Sequence, residues 1–350
     1  MNTAPPDPAT LCLFQQAAAA RGPLLVLADE NGYNAPWGLL PVTTTTVVSN
    51  RCDVAAQAKA AGYSSHFCDF DFEPAQHPAT VLFRVSKEKP VTHHAINRAA
   101  QLLPVGGTLL LCGEKNDGIK TYASKAAQLF GGNADTHKMG TQYLVTLTKQ
   151  ATGGEPLDDA DYSTMRVIAN LNGSDVYSKP GQFGWQKIDQ GSAFLADHFE
   201  AFFSKIYQKA PLRILDLGCG YGYLSLRAAA LLSDAELVAT DNNAAAIASC
   251  AHNFEQWAIN GRVIAGDVGD TLEGRFDAII CNPPFHQGFS TSGDLTDRFL
   301  DTMQRRLASK GKALVVVNQF VPIEKKALGR FSKITQIDSN RSFKLLLLQL

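Results

Sequence analysis

Short runs of leucine, valine and isoleucine recur along the chain, separated by amphipathic stretches that stop at glycine or proline. In the first half, Leu24–Ala28, Thr45–Ser49, Thr80–Val85, Thr108–Gly113 and Gln142–Leu147 have the length and content of buried strands. Between them, Ala9–Arg21, Asp53–Ala61 and His93–Leu103 show helical spacing and end at Gly22, Gly62 and Pro104, and a further helix is expected over Ile119–Phe130. The second half repeats the scheme. Strands are expected at Leu212–Leu217, Glu236–Asp241, Gly261–Ala265, Phe276–Cys281 and Lys312–Asn318, with helices at Ser192–Tyr207, Tyr223–Leu232, Ala244–Asn253 and Leu295–Leu307. Two last runs, Ile334–Asp338 and Phe343–Leu348, fit an antiparallel pair that closes the sheet. Such alternation gives an α/β fold with a largely parallel sheet covered by helices.

The two halves are separated by a change in composition. Residues 151–165 hold Gly153-Gly154, Pro156 and a run of acids, as a linker would. The expected organisation is one α/β domain over 1–150, a linker over 151–165 and a second α/β domain over 166–350. The halves read as copies: in both Leu103–Leu111 and Leu307–Val315 a helix ends near glycine and a buried strand follows. The first copy lacks the chemistry of the second, because its matching strand ends in Ser86-Lys87-Glu88-Lys89-Pro90.

Composition narrows the class. With 45% hydrophobic and 19% charged residues and a net charge of −1, the chain is an ordinary globular protein, not one that coats nucleic acid nonspecifically. Seven scattered cysteines without a C-x-x-C pair read as reduced thiols, with no metal site expected. The polar, proline-rich start has no basic or apolar core of a signal peptide, and no apolar run approaches the roughly 18 residues of a membrane span. A cytoplasmic protein without membrane contact is the expectation.

The candidate chemistry lies in the second half, at the ends of four successive strands. Asp216 is followed by Gly218, Gly220 and Gly222 between a strand and a helix, where glycines let the backbone turn tightly and approach a ligand. The G-x-G-x-G spacing is not that of dinucleotide sites, which speaks against an oxidoreductase, nor is it a P-loop. Asp241 ends the next strand, 25 residues after Asp216, where a carboxylate can accept both hydroxyls of a ribose. Asp267 follows the third strand, placed to accept from an adenine amino group, and Asn282 follows the fourth. Taken singly, each acid could be only a helix cap. Four in register define one crevice.

Asn282 opens Asn282-Pro283-Pro284-Phe285-His286. Two prolines fix two φ angles and remove two backbone donors, leaving an amide side chain, bare carbonyls and an aromatic ring held in one place. Such a bracket can grip a flat group bearing an NH2: the Asn282 side-chain oxygen and the Pro283 carbonyl accept its hydrogens, and Phe285 stacks on its face. His286 is a candidate base, though a solvated loop histidine is the commoner case.

These residues carry a resemblance. Asp216-Leu-Gly-Cys-Gly-Tyr-Gly222 with Asp241, Asp267 and Asn282-Pro-Pro-Phe285 resembles the motifs of class I S-adenosylmethionine-dependent methyltransferases that modify exocyclic or amide nitrogens. More narrowly, Asn282 to Gly288, Pro180-Gly-Gln-Phe-Gly184 and Asp189-x-Gly191-Ser192 resemble bacterial ribosomal RNA guanine-N2 methyltransferases of the C type, which act on the small subunit, and their G-type relatives, which act on the large one. The match covers residues 180 to 320. It implies two tandem Rossmann-like methyltransferase domains, the N-terminal one without cofactor motifs and serving as scaffold or RNA holder. It implies S-adenosyl-L-methionine held by Asp216, Gly218, Gly220, Gly222, Asp241, Asn242, Asp267, Val268 and Asn282. Asn282, Pro283 and Phe285 are the expected catalytic set, and Pro284, Phe285, His286 and Phe183 the expected substrate contacts. The implied partner is ribosomal RNA within the small subunit, methylated by a monomer. The alternatives are a 23S rRNA guanine, an adenine N6 or a protein glutamine. Basic residues offered for RNA are Arg305, Arg306, Lys310, Lys312, Lys325, Lys326, Arg330 and Lys333, with Arg84, Lys87, Lys89, His93 and His94 in the first half.

Overall fold

The structure, a computed structural model, describes residues 5–206, 211–284 and 292–350. It divides between Thr164 and Met165 into two compact units. The first unit holds β1 (Leu24–Ala28), β2 (Thr45–Ser49), β3 (Ser64–Phe67), β4 (Thr80–Arg84), β5 (Thr108–Glu114), β6 (Asp135–Met139) and β7 (Gln142–Thr148). They form a seven-stranded sheet in the order β3-β2-β1-β4-β5-β7-β6. The second unit opens with a hairpin of β8 (Arg166–Leu171) and β9 (Ser174–Ser178). It continues with β10 (Arg213–Leu217), β11 (Glu236–Asp241), β12 (Gly261–Ala265), β13 (Phe276–Cys281), β14 (Leu307–Asn318), β15 (Lys333–Ser339) and β16 (Phe343–Gln349), ordered β12-β11-β10-β13-β14-β16-β15. One topology is thus used twice. In each sheet five strands run parallel, the sixth is antiparallel to them and the seventh antiparallel to the sixth; the sequence predicts the closing pair in the second sheet only.

The central strands are apolar throughout because helices cover both faces. In the second unit Ile214, Leu237, Ala278 and Leu314 pack on one side, while Leu215, Val238, Ile279 and Val315 pack on the other. The strands that sequence pattern misses are the hairpin β8–β9, which forms a sheet of its own, and two at sheet edges. β3 (Ser-Ser-His-Phe) and β6, exposed along its whole length, have no core to face and so no apolar alternation. The expected helix over Ser192–Tyr207 is instead two short helices, Gln190–Ala196 and Phe199–Phe203. His198 interrupts them at φ −98°, ψ 3°, with its Nδ1 2.9 Å from the Phe194 carbonyl that a continuous helix would give to a backbone N–H.

The segment after residue 150 is an ordered strap on the first unit. Asn97 brackets Leu157, accepting from its N–H and donating to its carbonyl, each at 2.8 Å. His94 pairs with Asp159 at 2.8 Å and stacks on Tyr162, whose hydroxyl donates to Asp69 at 2.7 Å. These contacts change the reading of the basic set in this half. His93 and His94 are buried under the strap, and Arg84 is ion-paired to Asp7 at 3.1 Å and Asp117 at 2.7 Å. Only Lys87 and Lys89 of that set face solvent, and Lys89 lies 3.6 Å from Asp158. Among the described residues no helix is long and apolar enough to cross a membrane.

Tyr162 is 1% exposed and joins the ring of His94 to the carboxylate of Asp69. Tyr162→Ala should therefore lower the unfolding free energy by about 3–5 kcal/mol. Urea denaturation checks this, and an unshifted midpoint would show that the strap is only loosely laid on the unit.

Candidate active site

In the second sheet the chain order reverses between β10 and β13, so the carboxyl ends of β12, β11, β10 and β13 open a crevice at the switch point. The loop after β10 builds its floor. Gly218 and Cys219 donate backbone N–H groups to the Thr240 carbonyl at 2.9 and 3.0 Å, laying the loop across the end of β11. Gly218, Gly220 and Gly222 all take left-handed φ values of 80°, 53° and 88°, which side chains resist. A methyl group at Gly222 would lie 2.7 Å from Cys250 Sγ, so this glycine permits helix packing. One at Gly220 would meet nothing within 4 Å, so this glycine keeps a face open.

Asp216 lies beneath the loop, fully buried. Its Oδ2 accepts from Ser225 N at 3.1 Å and Oγ at 2.7 Å, anchoring the helix Tyr223–Leu231, while Oδ1 has no hydrogen-bond partner among the described residues. Burial pushes its carboxyl up to about 7, with Asp241 adding to the shift and the Ser225 bonds opposing it. Asp241 accepts from Gly220 N on one oxygen and Asn243 N on the other, each at 3.0 Å. It holds the glycine loop while each oxygen keeps a free lone pair. Asn242 is half-buried beside it.

The next turn, Asp267–Gly269, differs from the simple acceptor expected there. Asp267 Oδ2 takes the Arg298 guanidinium, so one oxygen of this carboxylate is already neutralised. Val268 has φ 52° and ψ 37°, a conformation costly for a β-branched residue, and its carbonyl accepts from Thr302 Oγ1 at 2.9 Å.

Asn282 follows β13 and is held from a direction that sequence spacing does not give. Its Nδ2 lies 2.8 Å from Asp189 Oδ2 and 2.8 Å from Ser192 Oγ. A carboxylate only accepts, so the atom facing Asp189 must be the amide nitrogen, and the orientation of the side chain is fixed by chemistry. Asn282 Oδ1 is thereby turned away as an acceptor. Asp189 also caps the helix Gln190–Ala196 through Ser192 N at 2.9 Å. Gly191 permits this approach: a methyl group there would sit 3.1 Å from Asp189 Oδ2 and 3.4 Å from Asn282 Nδ2. Pro283 is buried and Pro284 exposed. Buried Tyr221 lies nearby, its phenol raised above its ordinary value by burial and then by the Asp189 charge.

Pro180–Gly184 is docked on the helix that follows β11. Asn243 Nδ2 donates to the Gly181 carbonyl at 2.8 Å, and Gln182 Nε2 lies 2.6 Å from Ser249 Oγ. Phe183 is left 59% exposed on this docked segment. Phe285 and His286 lie outside the described residues. Asp189, Gly191 and Ser192 are the members of this site that reasoning from strand ends misses, since they come from a helix start about 90 residues upstream of Asn282. Of the later basic residues, Lys326 and Arg330 are paired with Asp297 and Asp301 on the helix Ser292–Arg306, and Lys312 donates to the Lys205 carbonyl. Among the described residues no cluster of His, Cys, Asp or Glu is arranged to hold a metal ion.

Related proteins give the family and the fold. The family described as methyltransferase small domain matches residues 173–347, half of the chain. The chain is 32% identical over 243 residues to a ribosomal RNA small subunit methyltransferase C of Erwinia tasmaniensis, covering 69% of this chain and 67% of that one. It is 28% identical over 270 residues to the protein of the same name from Shewanella loihica, covering 76% and 75%. A solved T. thermophilus 16S rRNA N2 G1207 methyltransferase, in complex with AdoMet and guanosine, superimposes with a TM-score of 0.85 over 98% of this chain and 92% of that one, at 23% identity. That likeness establishes the shared fold of two α/β units. By sequence and by domain, the chain belongs to the ribosomal RNA small subunit methyltransferase C family.

Proposed function

We propose that the protein transfers a methyl group from S-adenosylmethionine to the exocyclic N2 of a guanine in 16S ribosomal RNA of the small subunit. The observation that carries this reading is Asn282, whose amide nitrogen is turned onto Asp189 and Ser192 so that Oδ1 is free to accept. The names of the relatives, and the AdoMet and guanosine bound to the T. thermophilus protein, support the choice of substrate and cofactor.

The residues present fit the cofactor. Gly220 offers open space beside a backbone N–H already bound to Asp241, and Asp216 leaves a buried oxygen unpartnered beneath the loop. In this reading Gly218, Gly220 and Gly222 bring the backbone close to the bound molecule. Asp241 accepts ribose hydroxyls through its remaining lone pairs, with Asn242 beside it. Val268 and the outer oxygen of Asp267 border the adenine. S-adenosylmethionine, when bound, supplies an electrophilic methyl group on a cationic sulfur.

The chain's own task is to prepare the acceptor nitrogen. The lone pair of an aromatic amino group is spread into its ring. Asn282 Oδ1 and the Pro283 carbonyl, accepting the two N2 hydrogens, draw the nitrogen towards a pyramidal shape and aim its lone pair. Positioning of this kind in a closed site lowers a barrier by several kcal/mol, on the order of 7–11 at best. No strong base is required, because the nitrogen becomes acidic once alkylated. Phe285 stacks on the base, and Pro284, His286 and Phe183 border it. The first unit serves as scaffold and, through exposed Lys87 and Lys89, as an RNA support. The enzyme works as a cytoplasmic monomer without a metal.

The test is transfer from labelled S-adenosylmethionine to separated 30S and 50S subunits lacking endogenous modification, followed by nucleoside analysis. N2-methylguanosine in 30S RNA is expected. The same product only in 50S RNA would move the target to 23S, and no product in either would overturn the reading.

Two further outcomes are expected. Asp189→Ser keeps a helix cap but is too short to hold the Asn282 amide. It should lower kcat by about 10- to 100-fold with cofactor affinity and melting temperature little changed; an unchanged kcat would remove Asp189 from the site's function. The second concerns Asp216, whose folded value near 7 exceeds the ordinary 3.8. Its contribution to stability is full below 3.8 and is lost as pH rises through 7. A cationic ligand favours the ionised form, so calorimetric affinity for S-adenosylmethionine should rise from about pH 5.5 to about 7 and level off above. Asp216→Asn should flatten that rise, and equal slopes in both proteins would contradict the linkage.

A further inference from the structure

Phe320 is 93% exposed and follows the carboxyl end of β14, at the same edge of the sheet as Asn282. It stands two residues beyond β14, the strand beside β13. Cys281 is in register with Val315, so Asn282 is level with Val316 and Phe320 lies at most roughly 15 Å from it, allowing for strand spacing and rise. A second path gives the same proximity. A methyl group on Gly191 would lie 3.4 Å from Asn282 Nδ2 and 3.1 Å from Phe343 Cε1, and Phe343 is the register partner of Asn318.

The turn that carries Phe320 is tied down on both sides. Val321 N donates to the Asn318 carbonyl at 3.0 Å, and Gln319 N donates to the Ser342 carbonyl at 3.0 Å. Gln319 Nε2 donates to the Phe343 carbonyl at 3.0 Å, and Asn340 Oδ1 accepts from Ser342 N and Phe343 N in the adjoining β15–β16 turn. An aromatic ring is thus presented to solvent on a fixed support. Hydrophobic burial gains nothing from this placement, so it suits a partner that brings its own flat face. Arg341, exposed in the adjoining turn, has no partner among the described residues and adds a cation suited to phosphate.

We propose that Phe320 stacks on an unpaired base flanking the methylated guanine, with Arg341 on the neighbouring phosphate. This rests on the guanine-N2 reading above. Base stacking on an aromatic side chain is sequence-tolerant, and a ring paired with a cation is the usual form of a single-strand contact. Phe320 therefore positions the RNA and takes no part in the transfer itself. The stacked base holds the strand so that the target guanine meets Asn282.

The experiment measures affinity for deproteinised 16S rRNA and for 30S subunits, with methyl transfer by the unaltered protein as control. Phe320→Ala and Phe320→Leu should each weaken RNA binding by about tenfold, at unchanged affinity for S-adenosylmethionine. Phe320→Trp should bind within about twofold of the parent, because the face is kept. Arg341→Ala should weaken binding and reduce the salt slope by about one. Unchanged RNA affinity in Phe320→Ala and Phe320→Leu would overturn the stacking role while the control still makes N2-methylguanosine. A loss seen with 30S subunits but not with free RNA would overturn it in favour of a ribosomal protein contact. Absence of N2-methylguanosine from the control would overturn the functional reading and this inference together.

Discussion

The site depends on one constraint: the amide of Asn282 has its nitrogen fixed by a carboxylate that cannot donate. Asp189 and Ser192 take both amide hydrogens, and the oxygen is then available in one direction only. An unsupported asparagine rotates and presents donor or acceptor alike. Here the choice is made by a residue that also caps the helix Gln190–Ala196, so the start of that helix and the acceptor geometry are set by the same oxygen. Gly191 lets the helix start come close enough, and Pro283 and Pro284 stiffen the other side.

The cofactor side follows similar economy. Asp241 binds the Gly220 N–H and the Asn243 N–H, so the acid expected to hold a ribose also fastens the glycine loop to the next strand. Asp216 carries the opposite tension. Its burial with one unpartnered oxygen is unfavourable to ionisation in the free protein, and a cation bound above would relieve it. In the first unit a buried acid also stands at the matching strand end. Asp29 follows β1 and is likewise pushed up to about 7, chiefly by burial and then by Glu30. Around it the side chains differ from those of the second unit: Asn31 bonds Asp29, and Trp37 and Arg84, the latter tied to Asp7 and Asp117, line a small cavity with it. The duplicated topology persists without the glycine loop.

Much of the fold was legible because the central strands are buried on both faces and must be apolar from end to end. β10, β11 and β13 could be read directly, and their carboxyl ends placed Asp216, Asp241 and Asn282 at one edge. Edge strands β3 and β6 were not legible, since an exposed edge has no hydrophobic period. The strap over residues 151–164 has the composition of a linker, and its docking depends on Asn97, His94 and Tyr162 meeting across the fold. The same limit applies at the site. Asp189 and Asn282 are 93 residues apart, and no period or spacing joins them. Basic residues show the reverse limit: charge is visible in sequence, but the pairing of Arg84, Lys326 and Arg330 is not.

The most direct measurement of the central claim is a double-mutant cycle on the single-turnover transfer rate, at saturating cofactor and RNA, with Asp189→Ser and Asn282→Ala alone and together. If Asp189 acts by orienting Asn282, its substitution has no further effect once the amide is gone, and the double variant matches Asn282→Ala. If the two losses multiply, Asp189 acts independently of Asn282, and the account of an amide aimed by a carboxylate is contradicted.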